Sequence, residues 1–196
     1  MNIPNKLTIT RVVLVPVFLS FLMLSFDYHI LIAGIIFCIA AFTDLLDGKI
    51  ARCHGIVTNF GKFLDPIADK VLTTAAFIWL LSVGKMNVWV IMLILTREFA
   101  VTSVRLIAAG NGKVIDANIW GKLKTVFQYI AIIYMLAELE FENWQYTVLK
   151  GINISQNVFQ MTSATGQVLL WAAAALTAIA GIVYIYENRL FLREQK

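Results

Sequence analysis

Four aspartates, Asp44, Asp47, Asp65 and Asp69, fall within one short stretch, TDLLDGKIARCHGIVTNFGKFLDPIADK, of an otherwise apolar chain. Asp44 and Asp47 are three residues apart, so on a helix they share a face that Gly48 and Ala51 continue. Gly61, Asp65 and Asp69 recur every four residues and line one face of a following helix. Two aspartate pairs on facing helices make a cage of hard oxygen ligands, which suits Mg2+ or Mn2+. Without a cation the carboxylates would repel one another, and each would be costly inside a bilayer. Gly48, Ala51 and Gly61 remove side-chain bulk from the same faces, as close approach by a ligand or helix requires. Pro66 frees the carbonyl of Lys62 and is expected to kink the second helix near its start. His54, a lone imidazole after the first pair, is expected at the surface.

A second set of polar residues follows. Arg97, Val101 and Arg105 fall near one face of an apolar helical run, and Asn118, Gly121, Lys122, Thr125 and Gln128 share a face of the next. Arg105, Lys122 and Lys124 can converge on a second anion beside the metals, and a phosphate on a substrate is the natural choice. Alone, Lys122 or Lys124 would be read as snorkelling toward anionic head groups. An arginine inside a span, however, must face a cavity or a partner. For Arg97 the rival reading is a salt bridge to an adjacent helix, with Glu98 satisfying another partner.

These residues need a scaffold, and the composition indicates a membrane. Of 196 residues, 60% are hydrophobic and 14% charged, with a mean hydropathy of +0.78. About a quarter charged is usual for a soluble domain. The net charge of +4 is therefore read as an excess of Lys and Arg at cytoplasmic helix ends, with no nucleic-acid partner. Six stretches are apolar and long enough to span: Leu7 to Phe26, Ile30 to Arg52, Lys62 to Val83, Val88 to Ala109, Ile119 to Glu138 and Gly166 to Leu190. The expected fold is an all-α integral membrane protein of six transmembrane helices, one domain over residues 1–196. The first run lacks a small-residue cleavage site and reads as a retained helix. Residues 143–165 form a long, partly apolar connection expected to lie in the membrane interface. With a cytoplasmic N-terminus, one side receives Lys6, Arg11, Lys49, Arg52, Lys62, Lys113, Lys122, Lys124, Arg189, Arg193 and Lys196, and the other Lys85 and Lys150. Both termini and the aspartate hairpin are then cytoplasmic. Cys38 and Cys53 read as free thiols.

The pattern Asp44-x-x-Asp47-Gly48-x-x-Ala51-Arg52, eight residues, then Gly61-x-x-x-Asp65-x-x-x-Asp69 resembles the signature of the CDP-alcohol phosphotransferase family at every fixed position. The resemblance implies a six-helix membrane fold and a homodimeric enzyme with two divalent cations, Mg2+ or Mn2+. It implies that Asp44, Asp47, Asp65 and Asp69 hold the metals and that Asp69 is also the base. It further implies that Asp44, Asp47, Gly48, Ala51, Arg52, Gly61 and Asp65 line the CDP site. The stretches Asn2 to Arg11, Arg97 to Arg105 and Gly121 to Gln128 resemble the bacterial branch of the family that uses CDP-diacylglycerol as donor and sn-glycerol 3-phosphate as acceptor. Phosphatidylglycerol phosphate and CMP would be the products. Arg105, Lys122, Lys124 and Thr125 would bind the acceptor phosphate, and the site would face the cytoplasm from the bacterial inner membrane. Rival expectations are a cardiolipin synthase of the same fold, an inositol-phosphate acceptor, a small cation transporter and a structural membrane scaffold.

Overall fold

The computed structural model describes the backbone of residues 3–54, 59–110, 119–148 and 155–189, and within these the side chains except those of 3–8, 44–54, 59–69, 109 and 146–147. The described residues form six α-helices and no strand: α1 Ile3–Met23, α2 His29–His54, α3 Asn59–Ser82, α4 Val88–Gly110, α5 Ile119–Thr147 and α6 Gln156–Glu187.

Side-chain contacts fix the directions of the helices. Phe18 of α1 meets Phe37 of α2 at 5.7 Å between ring centroids, and Phe37 meets Tyr129 of α5 at 5.8 Å. Tyr28, just before α2, meets Trp144 near the end of α5 at 6.1 Å. Late in α5, Glu138 and Glu142 reach Lys85 beyond the end of α3, whereas early in α5 Lys124 reaches Glu98 in α4. Gln128 of α5 bonds Thr177 far along α6, and Tyr134 bonds the carbonyl of Thr162 near its start. Helices α1, α3 and α5 therefore run one way and α2, α4 and α6 the other. One end of the bundle carries Lys85. The opposite end carries Arg105, Lys124, the last turns of α2 and the first turns of α3.

The core is aliphatic and aromatic, built on Phe18, Phe37, Phe77, Leu80, Ile94, Ile132, Met135 and Leu170. Along α6 the buried residues Gly166, Ala173, Ala174, Thr177, Ala180 and Gly181 are small, so α4 and α5 can approach closely. At Gly166 an added Cβ would lie 2.5 Å from Met135 Sδ and 2.7 Å from Glu138 Oε2; at Gly181 it would lie 2.8 Å from Arg97 Cγ. The outer faces are also apolar. Trp89, Val168 and Ile182 are about two-thirds or more exposed, which favours a hydrocarbon surrounding over water.

Six helices fall where six were expected, but two boundaries are corrected. Helix α5 continues past Glu138 to Thr147, and α6 begins at Gln156, not at Gly166. The connection expected over 143–165 is thus largely helical at both ends. The carboxylates just before it are partnered locally through one oxygen each: Glu138 and Glu142, one turn apart, share Lys85, and Glu140 accepts from Trp144 Nε1 at 2.6 Å. Ser155 caps α6 by accepting from the Asn157 amide. Among the described residues one helix, Gln156–Glu187, is long and apolar enough to cross a membrane, while Ile9–Met23, His29–Thr43 and Lys70–Ser82 are shorter apolar runs. Helix α4 carries Arg97, Glu98 and Arg105, while the side chains of α1, α2 and α3 are described over only part of each helix. Cys38 is a free thiol, as expected.

Candidate active site

Asp44, Asp47, Gly48, Ala51 and Arg52 lie in the C-terminal half of α2, and Gly61, Asp65 and Asp69 in the N-terminal half of α3. Four residues, 55–58, separate the two helices, which pack against one another. Helical backbone at both stretches supports the expected face-sharing of each aspartate pair. The side chains of these eight residues, and of Cys53, His54 and Pro66, lie outside the described set. Among the described residues no group of three or more His, Cys, Asp or Glu side chains is placed to hold a metal.

The donor set fits hard divalent cations. Four carboxylates on adjacent helices supply oxygen only, and Mg2+ and Mn2+ favour such ligands over sulfur or imidazole sites.

Next to this segment the described side chains form a polar network across three helices. Lys70, which follows Asp69, donates to the Thr102 hydroxyl and, at 3.4 Å, to the Glu98 carbonyl of α4. Thr102 Oγ1 in turn donates to the same carbonyl at 2.8 Å. The Glu98 carboxylate accepts Lys124 Nζ from α5, and Arg97 Nη1 stands 3.5 Å from the same oxygen. Glu98 thus serves two cations from two helices and does satisfy another helix, whereas the carboxylate that Arg97 meets among the described residues is on its own helix and not on the adjacent one the rival reading expected. Lys124 is buried, as a lysine in a low-dielectric site must be if it is paired.

The residues expected to bind the acceptor phosphate are treated unequally by the fold. Arg105 is exposed, near the end of α4, with its guanidinium 5.4 Å from the centroid of the Tyr184 ring. Lys122 is exposed in the first turn of α5. Thr125 bonds back to the Gly121 carbonyl at 3.2 Å. Lys124 is held inward on Glu98. All four lie at the same end of the bundle as the aspartate-bearing turns. Arg105 and Lys122 have no carboxylate partner among the described residues, which leaves both cations available to an anion.

Several participants are not evident from the sequence. Lys70 looks like a helix-end lysine, yet it ties α3 to α4. Arg11, legible only as positive charge, is fully buried. Tyr184, a tyrosine in an apolar run, is 1% exposed under Arg105. The one sequence signal for Tyr184 is its spacing from Gly181, which puts both on the α6 face that meets α4.

The comparisons with known proteins converge. The CDP-alcohol phosphatidyltransferase family pattern matches residues 1–179, and the chain belongs to that family. It is 38% identical to the CDP-diacylglycerol–glycerol-3-phosphate 3-phosphatidyltransferase of Bacillus subtilis, over 95% of each chain. It is 33% identical to the protein of the same name from Rickettsia bellii, over 93% of each. Its likeness to that of Salmonella paratyphi A is 39% over 69% of this chain and 76% of the relative.

Proposed function

We propose that the protein transfers the phosphatidyl group of CDP-diacylglycerol to sn-glycerol 3-phosphate, giving phosphatidylglycerol phosphate and CMP. The observation that carries this reading is the end-to-end likeness to enzymes named for that reaction, with the family's aspartate pattern intact.

In this reading one domain of six membrane-crossing helices, working as a homodimer, holds the site at the cytoplasmic surface. The apolar outer faces and the bias of Lys and Arg toward one end support that orientation. The tails of the donor stay in lipid while its head group reaches the aspartates.

Asp44, Asp47, Asp65 and Asp69 would hold two divalent cations. When bound, such ions offset the charge that grows on attacking and leaving phosphate oxygens. Gly48, Ala51 and Gly61 leave space for the CDP moiety, and Arg52 meets its charge. Arg105 and Lys122 bind the acceptor phosphate, with Thr125 beside them. Lys124 contributes its charge from its place on Glu98. The acceptor hydroxyl oxygen attacks the phosphatidyl phosphorus, the bond from that phosphorus to the CMP oxygen breaks, and the hydroxyl proton passes to Asp69.

The test is turnover of CDP-diacylglycerol by the purified protein with a panel of acceptors: glycerol 3-phosphate, phosphatidylglycerol, inositol phosphate and water. CMP release that depends on glycerol 3-phosphate is expected. Release that depends on phosphatidylglycerol instead would replace this reading with the cardiolipin synthase.

A further inference from the structure

One residue of α4, Glu98, is gripped from both sides. Its carboxylate accepts Lys124 from α5, and its carbonyl accepts Lys70 from α3 at 3.4 Å. Lys70 also donates to the Thr102 hydroxyl, one turn further along α4. That hydroxyl gives its own proton to the Glu98 carbonyl at 2.8 Å, so it turns oxygen lone pairs toward the ammonium. A lysine near a helix end in lipid ordinarily extends toward the head groups. Lys70 is instead partly buried and directs its ammonium onto the backbone and hydroxyl of a neighbouring helix. Hydrogen bonds from a charged donor are about twice as strong as neutral ones, so this contact ties α3 to α4 firmly.

The place of Lys70 in the chain gives the tie a consequence. It directly follows Asp69, in the same helical turn. One residue on lies about 100° round a helix, so Lys70 holds α4 from beside the face that Asp65 and Asp69 share. On α4 the bonds fall in the turn from Glu98 to Thr102, between Arg97 and Arg105. The aspartates stand on α2 and α3 and the acceptor cations on α4 and α5, so in-line attack needs the two helix pairs at a fixed spacing. We propose that Lys70 is a positioning residue for phosphatidyl transfer. Through Thr102 and Glu98 it sets the distance between the Asp69 turn of α3 and the cation-bearing helices, and it touches neither substrate. The inference rests on the reading of the two residue sets as one phosphotransfer site, and it adds the part that holds them in register.

The experiment uses the full chain in detergent, with Lys70→Met, Thr102→Val, Thr102→Ser and the double variant Lys70→Met with Thr102→Val beside wild type. Thr102→Val removes the hydroxyl, keeps the shape and changes no charge, so it separates position from electrostatics. Displacing a reacting group by about 1 Å costs on the order of 10²-fold in rate. Lys70→Met is therefore expected to lower kcat about 100-fold. Thr102→Val, which leaves the bond to the Glu98 carbonyl, is expected to lower it about tenfold. The KM values for both substrates should stay unchanged, and Thr102→Ser should keep the wild-type kcat. The double variant should be no slower than Lys70→Met, because the hydroxyl then has nothing to hold. With no substrate present, Mn2+ is expected to raise Tm with its midpoint at a higher concentration in Lys70→Met and Thr102→Val than in wild type or Thr102→Ser. A lower Tm in Thr102→Val with kcat and the Mn2+ midpoint unchanged overturns the proposal and leaves Lys70 a packing contact. A loss in Lys70→Met with none in Thr102→Val also overturns it, since the lysine would then act by its charge. If the wild type turns over no acceptor, the functional reading fails, and the Mn2+ midpoints alone decide this inference. Equal midpoints in wild type and variants then refute it.

Discussion

Lys124 on α5 and Glu98 on α4 form an ion pair between two helices whose backbones do not come into contact among the described residues. The pair is mostly buried, and the Glu98 carboxylate also faces Arg97. Removing one partner of a buried pair leaves an uncompensated charge, which costs more than the pair contributes. Glu98→Gln is therefore expected to lower stability by about 3 kcal/mol. The double variant Glu98→Gln with Lys124→Met should recover part of that loss. Chemical denaturation of the four forms in micelles gives the coupling, and simple additivity would refute it.

At the other end of the bundle Lys85 joins α3 to α5. Burial alone would push its ammonium down, but hydrogen bonds to Glu142 at 2.6 Å and Glu138 at 2.9 Å, with their charges, outweigh it and hold Lys85 above the ordinary lysine value. A raised value in the folded state means that the contribution is fully present below the unfolded lysine value, near 10.4, and is lost as pH rises through the folded one. Lys85→Met should thus reduce Tm by a constant amount from pH 7 to about 9.5, and the gap to wild type should narrow only in more alkaline solution. A gap that closes near neutral pH would refute Lys85 as its source.

The glycines of α6 report on packing in two different ways. Gly166→Ala drives a methyl toward Met135 Sδ and Glu138 Oε2, the latter fixed by Lys85, so it is expected to destabilise by about 1–3 kcal/mol. Gly181→Ala presses on Arg97 Cγ, whose guanidinium shares Glu98 with Lys124, and should in addition raise the KM for glycerol 3-phosphate more than that for the donor. Thermal unfolding alongside steady-state kinetics separates the two. Equal kinetic effects of both variants would show that Gly181 acts through general packing.

The sequence shows much of this fold through length and periodicity. Six apolar runs became six helices, because a run near 20 residues long has few ways to satisfy its backbone other than as a helix. The ends of α5 and α6 were not legible. A hydropathy reading stops at Glu138, whereas the helix continues because Lys85, distant in sequence, neutralises Glu138 and Glu142. The same limit applies at the site. The aspartates announce themselves by spacing within two adjacent helices, Arg97 by its depth in an apolar run, and Arg105 by falling near the same helical face. Tyr184 and Lys70 gain their meaning from α4, a helix distant from each in sequence, and no local pattern marks them. Lys124 reads as one of three similar cations, and only the fold separates it from Lys122 by turning it inward onto Glu98.

The aspartates make the sharpest chemical prediction. EDTA should abolish turnover, and Mg2+ or Mn2+ should restore it, since four carboxylates without a cation offer nothing to offset phosphate charge. Asp69→Asn keeps an oxygen ligand of similar shape but cannot accept a proton. It is expected to retain binding of CDP-diacylglycerol within a fewfold while losing turnover by a factor of roughly 10²–10⁴, the usual worth of a positioned base. Asp44→Ala should instead weaken donor binding and raise the metal concentration needed for half-maximal rate. Lipid binding by fluorescence and CMP release at a series of metal concentrations distinguish the two outcomes. If Asp69→Asn turned over at the wild-type rate, the proton would have to leave by another group, and Asp69 would be a ligand alone.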